Sequence, residues 1–178
     1  MIFFLFFGLR TSDFKLIQII MKHKNHLSTK SYFINRFGKL STSFLFYQMQ
    51  DIAWEHARIP GFGFDKLKED QQFWVLSRLL VKIKRRPDWG EDFTLETWAR
   101  GADRFFGYRD FYFVDKKGNN IIEATTSWFV LDLKSKRIVN LTEFENFPKY
   151  EESVFGKNAG KVKAPKSKIT AKYLNTFL

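Results

Sequence analysis

The sequence predicts an α+β domain in which a curved antiparallel sheet closes over one helix. Three observations lead there. A single helix-period segment, residues 44–58, is followed by four strand-like segments joined by turn residues. The first of those strands, residues 73–86, would extend about 46 Å at roughly 3.3 Å per residue. The helix spans only about 22 Å, so strands of that length must twist and curl around it.

The elements follow in order. Residues 30–37 are short, β-prone and broken by Gly38, which suggests a first strand. Ser41, Thr42 and Ser43 then offer N-cap oxygens for the helix, and Pro60 and Gly61 end it. Leu45, Met49, Ile52, Ala53 and His56 share one face of that helix. Phe44, Phe46, Tyr47 and Trp54 add apolar surface elsewhere, a pattern expected of a helix buried on most sides. Residues 61–70 read as a loop with two glycines.

Four strands are expected after it, over residues 73–86, 93–100, 104–114 and 121–133, with turns at 87–90, 101–103 and 115–119. Gly118 is available for positive φ in the last of these turns. The order β-α-β-β-β-β, with the sheet wrapped round the helix, is the hotdog arrangement. Alternation assigns Phe73, Val75, Ser77, Leu79, Val81 and Ile83 to the inward face of the first long strand. Trp74, Leu76, Arg78, Lys82, Lys84 and Arg86 are assigned outward. On the next strand Phe93, Leu95, Thr97 and Ala99 are inward, with Glu96, Trp98 and Arg100 outward. The hotdog domain is expected over residues 30–141. Residues 1–29 read as a disordered or over-extended N-terminus with Met21 as the favoured start, and residues 142–178 as a linker leading to the first trace of a second domain.

Composition narrows the function. The chain has no cysteine and three histidines among 178 residues, which excludes disulfides and thiolate chemistry and disfavours a three-histidine metal site. Neither a metal nor a cofactor is expected. The net charge of +11 sits in the termini: residues 1–40 carry +6, residues 156–178 carry +6, and the middle carries −1. A nucleic-acid binder needs its basic face on the fold itself, so no nucleic-acid partner is expected. The apolar run at residues 2–7 is far shorter than the roughly 20 residues of a membrane-spanning helix. A cytoplasmic location follows as the expectation.

Several motifs then carry a family resemblance. They are Met49-Gln-Asp-Ile-Ala-Trp-Glu-His56 with Gly61-Phe-Gly63, Trp74-Val-Leu-Ser-Arg78, Pro87-Asp-Trp-Gly90 and Glu96-Thr-Trp98. Arg109-Asp-Phe111 follows with Asp115 and Gly118, then Ala124, Ser127, Trp128, Asp132 and Arg137. In order and spacing, over residues 30–141, this resembles the opening half of the acyl-carrier-protein thioesterases. The resemblance implies two tandem hotdogs that hydrolyse the thioester between a fatty acyl chain and the carrier's phosphopantetheine. It implies an acyl chain housed in the first hotdog and catalytic Asp, Asn, His and acidic residues supplied by the second, in a pattern like Asp-x-Asn-x-His-x-Asn-Asn. No stretch of this chain matches that pattern, so no catalytic residue is carried over. Leu178 is expected to fall about where the second hotdog begins.

The residues also admit their own site readings. Met49, Ala53, Ser77, Leu79, Leu95 and Thr97 are candidates for an acyl tunnel, with plain core packing as the alternative. A 14-carbon chain would bring on the order of 10 kcal/mol at roughly 0.8 kcal/mol per methylene. Lys82, Lys84 and Arg86, with Arg85 nearby, form a basic stripe suited to an acidic carrier, or a charged strand end that keeps a sheet soluble. Asp51 and Glu55 are candidate acid/base groups, or a solvated helix face. His56 is read as a packed histidine at the last turn, and Arg109 with Asp110 as a structural pair. Three functions remain open: an acyl-binding thioesterase half without the catalytic half, a self-sufficient homodimeric hotdog using Asp51 or Glu55, and a non-catalytic acyl-binding or carrier-docking module.

Overall fold

A computed structural model of the chain describes residues 22–144 and 147–162. The expectations for residues 1–20 and for a second-domain remnant after residue 162 lie outside the described residues. Five strands form one antiparallel sheet: β1 (His23–Ser28), β2 (Gln72–Ile83), β3 (Asp92–Ala102), β4 (Gly107–Asp115) and β5 (Asn120–Asp132). Their spatial order is β1-β3-β4-β5-β2. A long helix, α1 (Thr42–Arg58), follows β1, and a short one, α2 (Phe64–Glu69), precedes β2. A curved antiparallel sheet packed on one long helix is the hotdog fold, as the sequence predicts.

The helix begins where its cap chemistry places it. Ser41 Oγ accepts from the Phe44 amide at 3.4 Å, satisfying one of the orphan donors of the first turn. The five apolar-face residues Leu45, Met49, Ile52, Ala53 and His56 are the buried ones. They meet Phe93, Leu95, Phe111, Phe113, Ile122 and Ala124 from the sheet. The opposite face stays open, with Tyr47 56% and Trp54 42% exposed. The sheet therefore covers one side of α1 only, which corrects the expectation of a helix buried on most sides.

Two further corrections concern the ends of the domain. The first strand is β1 at His23–Ser28, whereas residues 30–37 hold a 3₁₀ turn over Ser31–Phe33. The sequence His-Lys-Asn-His-Leu-Ser shows no apolar alternation because β1 is an edge strand, where charged side chains are tolerated. It pairs with β3 throughout, His23 opposite Thr97 and Ser28 opposite Asp92. At the other end, the segment expected as a linker returns to the sheet. The Tyr150 amide donates to Ala99 O (2.8 Å), Trp98 Nε1 to Glu152 O (2.8 Å) and the Val154 amide to Asp110 Oδ2 (2.8 Å). This cover explains why Trp98, on the outer face, is fully buried. The short helix α2 stands where the sequence predicts a loop, because Phe64 and Leu67 alone give no periodicity; Leu67 anchors it beside Val130, Leu141 and Trp74.

The strand β2 carries the most consequential departure. Leu76 lies opposite Trp128, yet Arg78 lies opposite Ser127, so Ser77 is the extra residue of a β-bulge. One extra residue reverses the facing of everything before it. Leu79 and Val81 face the core, opposite Thr126 and Ala124. Trp74 and Leu76, opposite Val130 and Trp128, share that inner face. Phe73 and Val75 are therefore outward, and Ser77 itself is exposed, against the simple alternation.

Deleting Ser77 removes the extra residue and sets the two halves of β2 in conflict. Urea denaturation followed by tryptophan fluorescence should show a loss above about 4 kcal/mol, or no folded state, while Ser77→Ala stays within about 0.5 kcal/mol. A deletion variant with a near-native midpoint would show that the bulge does not set the facing.

Candidate functional site: an aromatic cavity with an arginine in its wall

Between the C-terminal half of α1 and the sheet lies a cavity of about 290 Å³, at the small end of ligand-binding cavities. Ala53, Trp54, His56 and Ala57 of α1 form one wall, and Ala99, Gly107, Arg109 and Trp128 of the sheet form another. Trp74, Phe62 and Phe147 close it. The inner-face parity set by the bulge is what brings Trp74 here.

The tryptophans present apolar faces because their N–H groups are already satisfied. Trp74 Nε1 donates to Phe62 O (2.8 Å), and Trp128 Nε1 donates to Thr126 Oγ1 (2.8 Å). Gly107 makes the close packing possible: a Cβ there would stand 3.1 Å from Phe147 and 3.4 Å from Trp74. Any side chain at position 107 would press into that wall.

Arg109 supplies the one formal charge among the described residues lining the cavity. Its Nη1 donates to His56 Nδ1 at 2.9 Å and to Thr97 Oγ1 at 3.1 Å. A guanidinium only donates, so His56 Nδ1 must be the acceptor, and the ring is the neutral tautomer protonated on Nε2. Among the described residues no carboxylate lies within ion-pair distance of Arg109. Burial alone pulls its pKa from 12.5 down to about 10, which leaves it charged at neutral pH. His56 also stacks on His23, ring centroids 5.7 Å apart and nearly parallel. Its Nδ1 thus faces β4, where the sequence reading had the ring serving the last turn of its own helix.

Asp110, next along β4, points to the opposite face. Its Oδ1 lies 2.9 Å from Arg100 Nε, and its Oδ2 accepts from Val154. Burial raises its pKa, opposed by hydrogen bonds from Thr125 and the Val154 amide and by Arg100. Arg109 and Asp110 therefore do not pair with each other; neighbours on a strand face opposite ways.

The chain's residues 21–146 match the family model described as the acyl-ACP thioesterase N-terminal domain. The chain belongs to the acyl-ACP thioesterase family. Palmitoyl-acyl carrier protein thioesterase of Cuphea hookeriana is 23% identical over 135 residues, covering 72% of this chain and 32% of that protein. Oleoyl-acyl carrier protein thioesterase 1 of Arabidopsis thaliana is 21% identical over 130 residues, covering 69% and 36%. The chain thus spans about a third of the length of these plant relatives. An acyl-ACP thioesterase of Bacteroides thetaiotaomicron superposes with a TM-score of 0.74 at 25% identity, covering 89% of this chain and 66% of that one. A 12:0-ACP thioesterase of Umbellularia californica, at TM-score 0.69 and 21% identity over 82% and 60% of the two chains, shares the fold.

Within this acyl-ACP thioesterase domain the candidate residues part company. Of the six acyl-tunnel candidates, Ala53 lines the cavity. Met49 and Leu95 are packed in the closed core, with Leu79 against it. Thr97 is buried, donating to Asp110 O (3.0 Å), and Ser77 is exposed at the bulge. Glu55 accepts from Asn25 Nδ2 (2.7 Å) and from His23 Nε2 (3.2 Å), Asp51 is exposed on the open face of α1, and neither lines the cavity. In the basic stripe, Lys84 pairs with Glu123. Arg86 donates to Leu40 O (2.8 Å) and Thr42 Oγ1 (3.0 Å), while Lys82 is exposed. Among the described residues no three His, Asp or Glu side chains cluster to hold a metal, and no helix is long and apolar enough to cross a membrane. Sequence reasoning missed Trp74, Trp128 and Phe147 as cavity walls; the bulge places Trp74, the returning segment places Phe147, and Trp128 stands on β5 opposite Leu76.

The two neighbouring strand residues should separate in their effect on stability. Asp110→Ala strands Arg100 and the Val154 amide and is expected to cost about 3 kcal/mol or more. Arg109→Met, which exchanges a half-buried cation for an apolar side chain but removes the donor to the buried His56 Nδ1, should cost about 1–2 kcal/mol, less than Asp110→Ala. Chemical denaturation of both variants checks this; a larger loss for Arg109→Met would mean the guanidinium is there for the fold.

Proposed function

We propose that this chain is the acyl-recognising half of a fatty acyl-ACP thioesterase of fatty acid biosynthesis, and that hydrolysis requires catalytic residues from a second hotdog half. The observation that carries this reading is the cavity between α1 and the sheet. It is walled by aromatic and small side chains, in a domain whose family hydrolyses thioesters of fatty acyl chains. An eight-carbon acyl chain buried there brings about 5 kcal/mol at roughly 0.8 kcal/mol per methylene. Met49, Leu79, Leu95 and Thr97 then form the packed floor beside the cavity, and Ala53 its direct contact.

The self-sufficient homodimer finds less support. Asp51 and Glu55 lie away from the cavity, and Glu55 is already held by Asn25 and His23. The partner is an acyl carrier protein bearing its fatty acyl chain. Exposed Lys82 is the member of the basic stripe with charge to spare for it, since Lys84 and Arg86 are engaged. The absence of cysteine suits a reducing, cytoplasmic setting.

Incubating the purified chain with octanoyl-ACP gives the test. The expected result is saturable binding, read as a change in tryptophan fluorescence, with no release of free acid above the uncatalysed rate. Robust turnover by the chain alone would overturn the division of labour, and absence of any binding would overturn acyl recognition.

A further inference from the structure

We propose that the cavity recognises the free carboxylate of a medium-chain fatty acid, seated on Arg109 with its alkyl chain against Trp74 and Trp128. The inference rests on the acyl-binding reading and goes a step past it, from a chain-length slot to a site for the anionic acid itself. A cavity built only for hydrocarbon has no use for a cation. An alkyl chain alone would strip water from a charged guanidinium, which offsets part of what burying the hydrocarbon gains. An occupant that brings its own acceptor avoids that cost.

The geometry says which kind. Arg109 commits Nη1 to two neutral acceptors, His56 Nδ1 and Thr97 Oγ1. Its Nε and Nη2 donors have no partner among the described residues. Two donors on one edge of a planar guanidinium match the two oxygens of a carboxylate. A thioester carbonyl offers one neutral oxygen and leaves the charge uncompensated. His56 strengthens the assignment, because its neutral tautomer holds the guanidinium in place without cancelling its charge. The Arg100–Asp110 pair lies across the sheet, on the outer face, and so does not supply a counter-charge to the cavity. For an enzyme assembled around this half, the consequence is retention of the product acid at the acyl site.

The experiment is calorimetric titration of the full chain with octanoate and with octanol near neutral pH, repeated on Arg109→Gln. Octanoate should bind at least about tenfold more tightly than octanol to the wild-type chain, as a charge-assisted pair allows. In Arg109→Gln that preference should vanish. Arg109→Lys keeps the charge but loses the fork, and should retain only part of the preference. Equal affinity of the two probes for the wild-type chain, or a preference that survives Arg109→Gln, would overturn the carboxylate site while leaving the acyl cavity standing. Binding of neither probe would overturn the acyl reading itself. The wild-type comparison decides the matter even if a variant fails to fold.

Discussion

Everything in this domain depends on the contact between one face of α1 and the inner face of the sheet. From Leu45 to Ala53 that contact is dense, and the side chains from both sides meet without room for a guest. Toward the end of the helix it changes character. Ala53 is the last small contact of that stretch and Ala57 fills little beyond it, Gly107 adds no side chain from β4, and the gap is framed by aromatic rings instead. The cavity opens where the large apolar residues of the stripe, ending at Ile52, give way to Ala53, His56 and Ala57.

What occupies the boundary between packed core and open cavity is a polar link. His56 of α1 and Arg109 of β4 meet at 2.9 Å, with Thr97 of β3 completing the triangle. Core logic would place apolar residues at all three positions. A half-buried guanidinium held by neutral acceptors contributes little to stability, so its presence is better understood through what enters the cavity. Behind it, on the outer face, Asp110 and Arg100 form an ordinary structural pair under the returning segment. Two adjacent residues of one strand thus serve separate purposes because the pleat sends them to opposite sides.

Much of the fold was legible in the sequence. The helix stripe Leu45, Met49, Ile52, Ala53, His56 stood out by spacing alone, and the four long strands stood out by alternation and turn residues. The edge strand β1 did not, since Lys24, Asn25 and His26 show the polar character that an edge permits. The bulge at Ser77 was invisible because alternation of apolar residues continues on paper through Val75, Ser77 and Leu79. That single residue moved Trp74 from the outer face to the cavity wall. Of the acyl-tunnel candidates the bulge displaces Ser77 alone; Met49, Leu95 and Thr97 are inward as expected and pack the core beside the cavity. The walls provided by Phe147 and the cover over Trp98 depend on a chain segment that leaves and comes back, which no local pattern encodes.

The central claim is where the aliphatic guest lies: at the C-terminal end of α1, between helix and sheet, under Trp74 and Trp128. Intermolecular nuclear Overhauser effects between isotope-labelled octanoate and the chain measure this directly. The expected result is strong contacts from the ligand methylenes to the indole protons of Trp74 and Trp128 and to the Ala53 and Ala99 methyls, with none to the Met49 methyl. Contacts centred on Met49 and Leu95, or on the open face at Tyr47, would contradict it.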